Sequence, residues 1–218
     1  MYTMIRDISN LRKSYTQNSL EEINVPSNPF SLFDNWFKEV KSANSESEVN
    51  AMTLSTIDTD GFPDARIVLL KYYSSEGFIF FTNYNSKKSV SIEKNNKVSI
   101  SFFWEDFERQ VIIKGHAKKT NEDLSTKYFN LRPKGSQIGA LVSERQSSVI
   151  PSKDYLIKKF NSLILEFKGK DIPRPDNWGG FIISPTEFEF WQGGENRLHD
   201  RIRYMIVDNL WKIDRLSP

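Results

Sequence analysis

One stretch of this chain gathers hydrogen-bond donors: Trp191-Gln192-Gly193-Gly194-Glu195-Asn196-Arg197-Leu198-His199-Asp200-Arg201. It offers an indole N–H, a carboxamide, two guanidinium forks and an imidazole. Gly193-Gly194 lets the backbone turn sharply or approach a ligand closely. Donors this crowded suit a planar, anionic ligand with many acceptors. The same residues would also serve as a solvated hairpin loop, with the arginines paired to Glu195 and Asp200. Arg197 can lie flat against a π-face, which a lysine does poorly.

Further cations stand at element ends. Lys87 and Lys88 fall in the first turn of a helix expected from Asn85 or Ser86 to Asn95. A helix N-terminus already carries partial positive charge, so cations there make sense if an anion such as a phosphate binds the exposed N–H groups. Otherwise they are two solvated lysines. Arg66 and Lys71 lie on one strand run, Asp64 to Tyr73. At that spacing they point to opposite faces of a regular strand, so a bulge or two different ligands would be needed for both to act. Tyr128, Arg132 and Ser136 recur at helical spacing, and Tyr128 and Arg132 would share a face if the helix reaches that far. Ordinary helix-surface decoration ending at Pro133 is the competing reading. Arg12, Lys13, Ser14 and Tyr15 cluster on a polar N-terminal stretch that reads as an exposed basic arm.

Composition removes several function classes. A chain of 218 residues holds one large domain or two small ones. With 38% hydrophobic and 27% charged residues it reads as soluble and globular. A net charge of +2 argues against nucleic-acid binding through an overall field. Zero cysteines exclude disulfides, thiolate metal sites and cysteine nucleophiles. His116 and His199, far apart and without cysteine, argue against a zinc site. No Gly-rich phosphate loop, dinucleotide fingerprint or serine nucleophile elbow is present. An oxidoreductase with a bound organic cofactor survives this sieve, because the cofactor carries the reactivity. The N-terminus has no apolar signal region, and no apolar run approaches the roughly 18 residues that span a membrane, so a cytoplasmic protein is the default.

The positioning elements read as mainly β. Residues 1–28 form an arm, and 29–218 a single domain. Ser31 N-caps a helix to Ala43, with Leu32, Phe33, Trp36, Phe37 and Val40 at helical spacing. Strands follow at Ala51–Ile57, Asp64–Tyr73, Phe78–Thr82, Val98–Trp104 and Gln110–Lys118, joined by short turns. Thr120-x-x-Asp123 resembles a capping box for a helix to about Leu131. A short helix is expected over Gln137–Ser143. Ser152 caps an amphipathic helix with Tyr155, Leu156, Phe160, Leu163, Ile164 and Phe167 inward, closed by Gly169. Phe181–Ile183 and Glu187–Trp191 read as strands split by Pro185. Ile202–Val207 and Leu210–Ile213 pair across Asp208-Asn209. Eight or nine strands with three or four helices, and no βαβ alternation, predict an antiparallel barrel with flanking helices.

The donor-rich stretch, together with the ending Trp211-Lys-Ile-Asp-Arg-Leu-Ser-Pro218, resembles the C-terminal signature of the pyridoxine/pyridoxamine 5'-phosphate oxidases. The likeness extends to Arg66-Ile-Val-Leu-Leu-Lys71, Glu108-Arg-Gln110 and Tyr128-Phe-Asn-Leu-Arg-Pro-Lys-Gly-Ser-Gln-Ile-Gly139, so it covers nearly the whole chain. It implies an FMN-binding split β-barrel acting as a homodimer with composite active sites. It implies FMN contacts from Arg66, Ile67, Val68, Leu69, Leu70, Lys71, Phe81, Thr82, Lys87, Lys88, Gln110, Gln146, Ser147, Trp191 and Arg201. It assigns the substrate phosphate to Tyr128, Arg132 and Ser136, and the pyridine ring to Arg197, Leu198 and His199, with Arg197 and His199 as the catalytic pair. Lys71 would touch substrate too, and Arg12, Lys13, Ser14 and Tyr15 would form part of a lid. Glu48 stands where an Asp is usual in the family.

The implied reaction is oxidation of pyridoxamine 5'-phosphate and pyridoxine 5'-phosphate to pyridoxal 5'-phosphate. A hydride passes from C4' to flavin N5, and O2 is reduced to hydrogen peroxide. No nucleic-acid, membrane or metal partner is expected. A split-barrel flavin reductase using NAD(P)H, a non-catalytic flavin or pyridoxal-phosphate carrier, and an RNA-binding barrel are the rival readings. The set Tyr128, Arg132, Ser136, Arg197 and His199 argues against the reductase.

Overall fold

The computed structural model describes residues 6–11, 13–43 and 48–218. Among them are nine strands and five α-helices. In chain order these are α1 (Pro29–Ala43), β1 (Ala51–Ile57), β2 (Pro63–Leu69), β3 (Tyr72–Ser74), β4 (Gly77–Asn83), α2 (Lys87–Lys94), β5 (Lys97–Trp104), β6 (Arg109–Lys119), α3 (Glu122–Leu131), α4 (Lys134–Val142), α5 (Lys153–Glu166), β7 (Trp178–Gln192), β8 (Asp200–Val207) and β9 (Leu210–Arg215). The strands join in one sheet of order β2-β1-β5-β6-β7-β4-β3, with β8 on β7 and β9 on β8. The pairs β1–β2, β1–β5, β3–β4, β4–β7 and β8–β9 are all antiparallel. The fold is thus mainly β with flanking helices, as the turn-linked strand pattern predicts. Among the described residues no helix is long and apolar enough to cross a membrane.

The chain condenses into two compact units. The first comprises residues 1–45, 103–111 and 188–218, and the second residues 46–102 and 112–187. In the first, α1 buries Phe33, Trp36 and Val40. Trp36 meets Phe190 edge-on at 5.3 Å. Tyr204 is fully buried and donates to the Pro26 carbonyl at 2.8 Å. Burial pushes its phenol up to about 12. In the second, alternation along β1 puts Met52, Leu54 and Thr56 inward. A further cluster of Phe129, Ile138, Ala140, Val142, Ile172 and Trp178 packs with Leu156, Phe160, Leu163 and Phe167. Each large apolar side chain so buried contributes on the order of 1.5–3 kcal/mol.

Several boundaries depart from expectation for local reasons. The Asp64–Tyr73 run is two strands, broken at Leu70-Lys71. There Leu70 N–H turns to the Asn50 carbonyl at 2.9 Å and Lys71 N–H to that of Ile79 at 2.8 Å. α1 begins at Pro29 rather than after Ser31. Proline fits the first helical position, and the Asn28 side chain accepts from Phe30 N–H. Asn121, not Thr120, caps α3, accepting from Leu124 N–H at 2.8 Å. Thr120 instead bonds the Ser125 hydroxyl and the Gly180 carbonyl. The short helix expected over Gln137–Ser143 is α4, which starts earlier, at Lys134 directly after Pro133, and brings the helices to five where the overall count was three or four. Tyr155 and Ile164 on α5 are exposed rather than inward, at 46% and 42%.

Pro185 does not split β7. The facing strand makes room for it at Gly115, where an added Cβ would lie 2.3 Å from the Ser184 carbonyl oxygen and 3.0 Å from Pro185 Cα. The β8–β9 hairpin turns on Asp208 and Asn209 with φ of 50° and 63°, the left-handed pair that a two-residue turn requires.

Candidate active site

The second unit contains a cavity of about 700 Å³ lined by Arg66, Ile67, Val68, Leu69, Lys71, Phe81, Thr82, Lys88, Tyr128, Arg132, Ser136 and Gln146 among others. Its size suits a cofactor-scale ligand. β2 carries Arg66, which pairs in register with Leu54 of β1. Its Nη1 donates to the Leu54 carbonyl at 3.2 Å and to Thr56 Oγ1 at 2.8 Å, and its Nη2 pairs with Asp64 at 2.6 Å. The break after β2 turns Lys71 toward the same cavity, so the opposite-face objection to a joint role falls away.

Lys88 sits in the first turn of α2, which directly follows Ser86 at the N-cap position. Its Nζ reaches the hydroxyls of Thr82 at 3.2 Å and Ser86 at 3.3 Å. Burial, then the Arg66 charge, lowers its pKa below the ordinary lysine value. A dianionic phosphate would reverse that penalty. Lys87 points elsewhere: it pairs with Asp58 at 3.2 Å and Asp64 at 3.3 Å, whose hydrogen bonds raise its pKa. The structure does not bring Lys87 into the cavity.

Tyr128, Arg132 and Ser136 do line it together, but not from one helix face. α3 ends at Leu131, and Arg132 takes extended backbone, as a residue before proline prefers. Ser136 belongs to the first turn of α4. Gln137 ties this corner, its Nε2 donating to the carbonyls of Phe129 at 3.2 Å, Asn130 at 3.3 Å and Arg132 at 2.9 Å. The Arg132 guanidinium lies 4.5 Å over the Trp178 ring. Its Nη1 is buried without a hydrogen-bond partner, and burial lowers its pKa. Tyr128 stacks on Phe81 at 4.1 Å, and burial raises its phenol, which keeps it a donor. A buried guanidinium with an unmet donor beside a phenol and a serine hydroxyl suits a phosphate ester.

The first unit holds a different part of the predicted set. Trp191 is the penultimate residue of β7, and after Gln192 the chain runs through Gly193-Gly194 into a tight turn where Asn196 and Arg197 are left-handed, with φ of 54° and 64°. This geometry leaves Arg197 and Leu198 exposed. His199 lies 4.8 Å from the Trp191 ring. Its Nδ1 accepts from Gly194 N–H at 3.1 Å, which in the neutral ring leaves the proton on Nε2. Tyr15 meets both rings edge-on, at 5.6 Å to Trp191 and 5.8 Å to His199. Arg201 pairs with Glu189 at 2.9 Å and donates to the Ser217 carbonyl at 2.7 Å. Gln110 is half-buried on β6.

Of the remaining expectations, Lys13 and Ser14 are exposed beside Tyr15, and Glu48 is exposed. Leu70 is buried at the strand break. Ser147 has φ of 74° and accepts from Lys87 N–H at 3.3 Å. Arg12 lies outside the described residues.

Sequence reasoning missed Trp178 and Asn83 as lining. Asn83 donates to the carbonyls of Ser143 at 2.7 Å and Glu144 at 3.3 Å, which fixes the loop bearing Gln146. It also read the Gln192 carboxamide as a ligand donor, whereas its Nε2 donates to the carbonyls of Phe107 and Glu108, and it gave Glu108 no role. The signal available was a glutamate following an aromatic at a strand junction, which singles out nothing. Among the described residues no cluster of three or more metal-ligating side chains occurs.

Comparison with known proteins agrees with this geometry. The family described as Pyridoxamine 5'-phosphate oxidase matches residues 39–164, and the Pyridoxine 5'-phosphate oxidase C-terminal dimerisation region matches residues 178–218. A pyridoxine/pyridoxamine 5'-phosphate oxidase of Flavobacterium johnsoniae is 56% identical over 98% of this chain and 100% of its own. That of Nostoc punctiforme is 46% identical over 99% of this chain and 100% of its own. Among solved structures, PhzG from Burkholderia lata in complex with tetrahydrophenazine-1-carboxylic acid superposes with a TM-score of 0.86 at 26% identity, covering 94% of this chain and 100% of that one. A cavity that gathers Arg66, Lys88, Tyr128, Arg132 and Ser136, and near-complete relatives at this level of identity, lead to one conclusion: the chain belongs to the pyridoxamine 5'-phosphate oxidase family, with its split-barrel fold.

Proposed function

We propose that this protein is an FMN-dependent oxidase that converts pyridoxamine 5'-phosphate and pyridoxine 5'-phosphate to pyridoxal 5'-phosphate. The observation that carries the reading is one cavity holding two sets of phosphate-suited donors: Arg66 with Lys88, and Tyr128 and Ser136 with Arg132, whose Nη1 is unmet. FMN bound there would supply the hydride acceptor at N5 and return the electrons to O2 as hydrogen peroxide.

The chain's own residues supply binding and orientation. Arg66 and Lys88 neutralise the flavin phosphate, and Thr82 and Gln146 add polar contacts. Arg132 offers a guanidinium fork to the substrate phosphate, and the Tyr128 phenol and Ser136 hydroxyl each donate one hydrogen bond. Phe81 and Tyr128, stacked at 4.1 Å, give the cavity a flat apolar wall. Holding the substrate through its phosphate fixes C4' before any bond breaks, which is where proximity enters. Arg197 lies against the pyridine face, and His199, with Nδ1 occupied, presents Nε2–H to a ring substituent.

The match of residues 178–218 to a dimerisation region supports a homodimer. In that assembly each active site takes Arg66 to Lys88 from one chain and residues after β7 from the other. The test is the aerobic reaction of flavin-loaded protein with pyridoxamine 5'-phosphate. The expected result is one hydrogen peroxide per pyridoxal 5'-phosphate formed. Flavin-loaded protein that releases neither would overturn the assignment.

A further inference from the structure

We propose that Glu108 is a positioning residue that latches the N-terminal segment and so holds Tyr15 against Trp191 and His199. It rests on the reading above that residues after β7 face the substrate. All the contacts lie within the first unit.

Glu108 closes the 3-10 turn Glu105–Phe107 in left-handed backbone, φ 52° and ψ 40°, an uncommon conformation for a glutamate. That conformation turns its two ends to different segments. Its backbone carbonyl accepts from Gly193 N–H at 2.7 Å and from Gln192 Nε2 at 3.3 Å, and thus fixes the glycine turn. Its side chain, 2% exposed, faces the N-terminal segment. There Oε2 accepts from two successive backbone N–H groups, Thr16 at 2.8 Å and Gln17 at 3.0 Å, while Lys13 Nζ stands 4.0 Å from Oε1. Bonds to a carboxylate are among the stronger ones a chain makes.

Tyr15 is the residue this clasp places. Its backbone lies directly before the two donated N–H groups, and its side chain seats where Gly193 has no Cβ. A methyl at that position would come 2.8 Å from Tyr15 Cβ and 3.0 Å from Glu108 Cβ. The Tyr15 ring then rests edge-on to Trp191 and His199. Tyr15 is half-buried and every other residue from Lys13 to Gln17 is exposed, so the position of Tyr15 depends on Glu108 and the glycine seat.

The test uses flavin-loaded protein carrying Glu108→Gln, Glu108→Ala, Tyr15→Ala or Gly193→Ala. Two readouts are followed: the rate of tryptic cleavage after Lys13, and the KM for pyridoxamine 5'-phosphate. Glu108→Ala should speed cleavage by about tenfold or more, the effect of losing one or two charge-assisted bonds. Glu108→Gln, which keeps one acceptor oxygen, should fall between it and wild type. Gly193→Ala should speed cleavage while keeping the Glu108 carboxylate in the chain. KM should rise about tenfold in Glu108→Ala with flavin content retained. In a Tyr15→Ala background, Glu108→Ala should raise KM no further.

Unchanged cleavage in Glu108→Ala, Glu108→Gln and Gly193→Ala would overturn the latch. So would KM losses that add in the double variant, or flavin loss from both Glu108 variants and Gly193→Ala. Wild-type protein without oxidase activity would sink the proposed function, whereas the cleavage rates would still decide the latch.

Discussion

Replacing Arg132 by methionine separates a ligand-binding role from a packing role. In the ligand-free protein the guanidinium leaves Nη1 buried without a partner and lies 4.5 Å over Trp178. Removing an unmet buried donor relieves about 1–3 kcal/mol. Losing the cation–π contact costs about 0.5–2 kcal/mol, part of which the methionine thioether recovers against the same ring. The two effects nearly cancel, so the ligand-free variant should unfold within about 1 kcal/mol of wild type. Binding the substrate phosphate should instead lose a charge-assisted contact of roughly 1.5–3 kcal/mol, or about 10- to 150-fold. Thermal unfolding without ligand, flavin content and KM for pyridoxamine 5'-phosphate test this together. Retained stability and flavin with a raised KM is the expected pattern. A clear drop in stability with an unchanged KM would show that Arg132 serves the Phe129–Trp178 cluster and not a phosphate.

Three further outcomes follow from the geometry. Lys88→Met should narrow the preference for FMN over riboflavin, read by titration of the flavin-free protein. Because burial and Arg66 lower the Lys88 pKa, the unfolded chain binds more protons between that lowered value and 10.5. Stability of the flavin-free wild type should therefore rise with pH through that window relative to Lys88→Met, and parallel unfolding curves would contradict it. For the composite site, co-expression of chains carrying Lys88→Ala and Arg201→Ala, each inactive alone, should restore activity. Random mixing makes about half the dimers mixed, with one intact site in each, so about a quarter of all sites should work. No recovery despite confirmed mixed dimers would place both residues in one chain's contribution to a site.

Much of the fold was legible because its signals are local. Alternation along β1, the Asp208-Asn209 turn and the Ser152 cap each act over a few residues. What was not legible depends on partners remote in sequence. The break at Leu70-Lys71 is set by the carbonyls of Asn50 and Ile79, and it decides that Arg66 and Lys71 line one cavity. Pro185 stays within β7 because Gly115 faces it. Tyr128, Arg132 and Ser136 were legible as a group by spacing, yet the spacing implied one helix face and Pro133 built a corner instead. Lys87 and Lys88 look alike in sequence. Only the acidic pair Asp58 and Asp64 separates them, by drawing Lys87 away from the cavity. The clasp made by Glu108 spans about 90 positions of chain and left no mark in sequence.

The central claim is that the cavity brings flavin and a pyridine phosphate ester together for hydride transfer. Its most direct test is the visible spectrum of flavin-loaded protein on anaerobic mixing with pyridoxamine 5'-phosphate. The account predicts loss of the oxidised-flavin absorbance with the phosphate ester, and far weaker bleaching with unphosphorylated pyridoxamine at the same concentration. A fully loaded protein whose flavin spectrum stays oxidised with the ester, or bleaches equally with both, would contradict it.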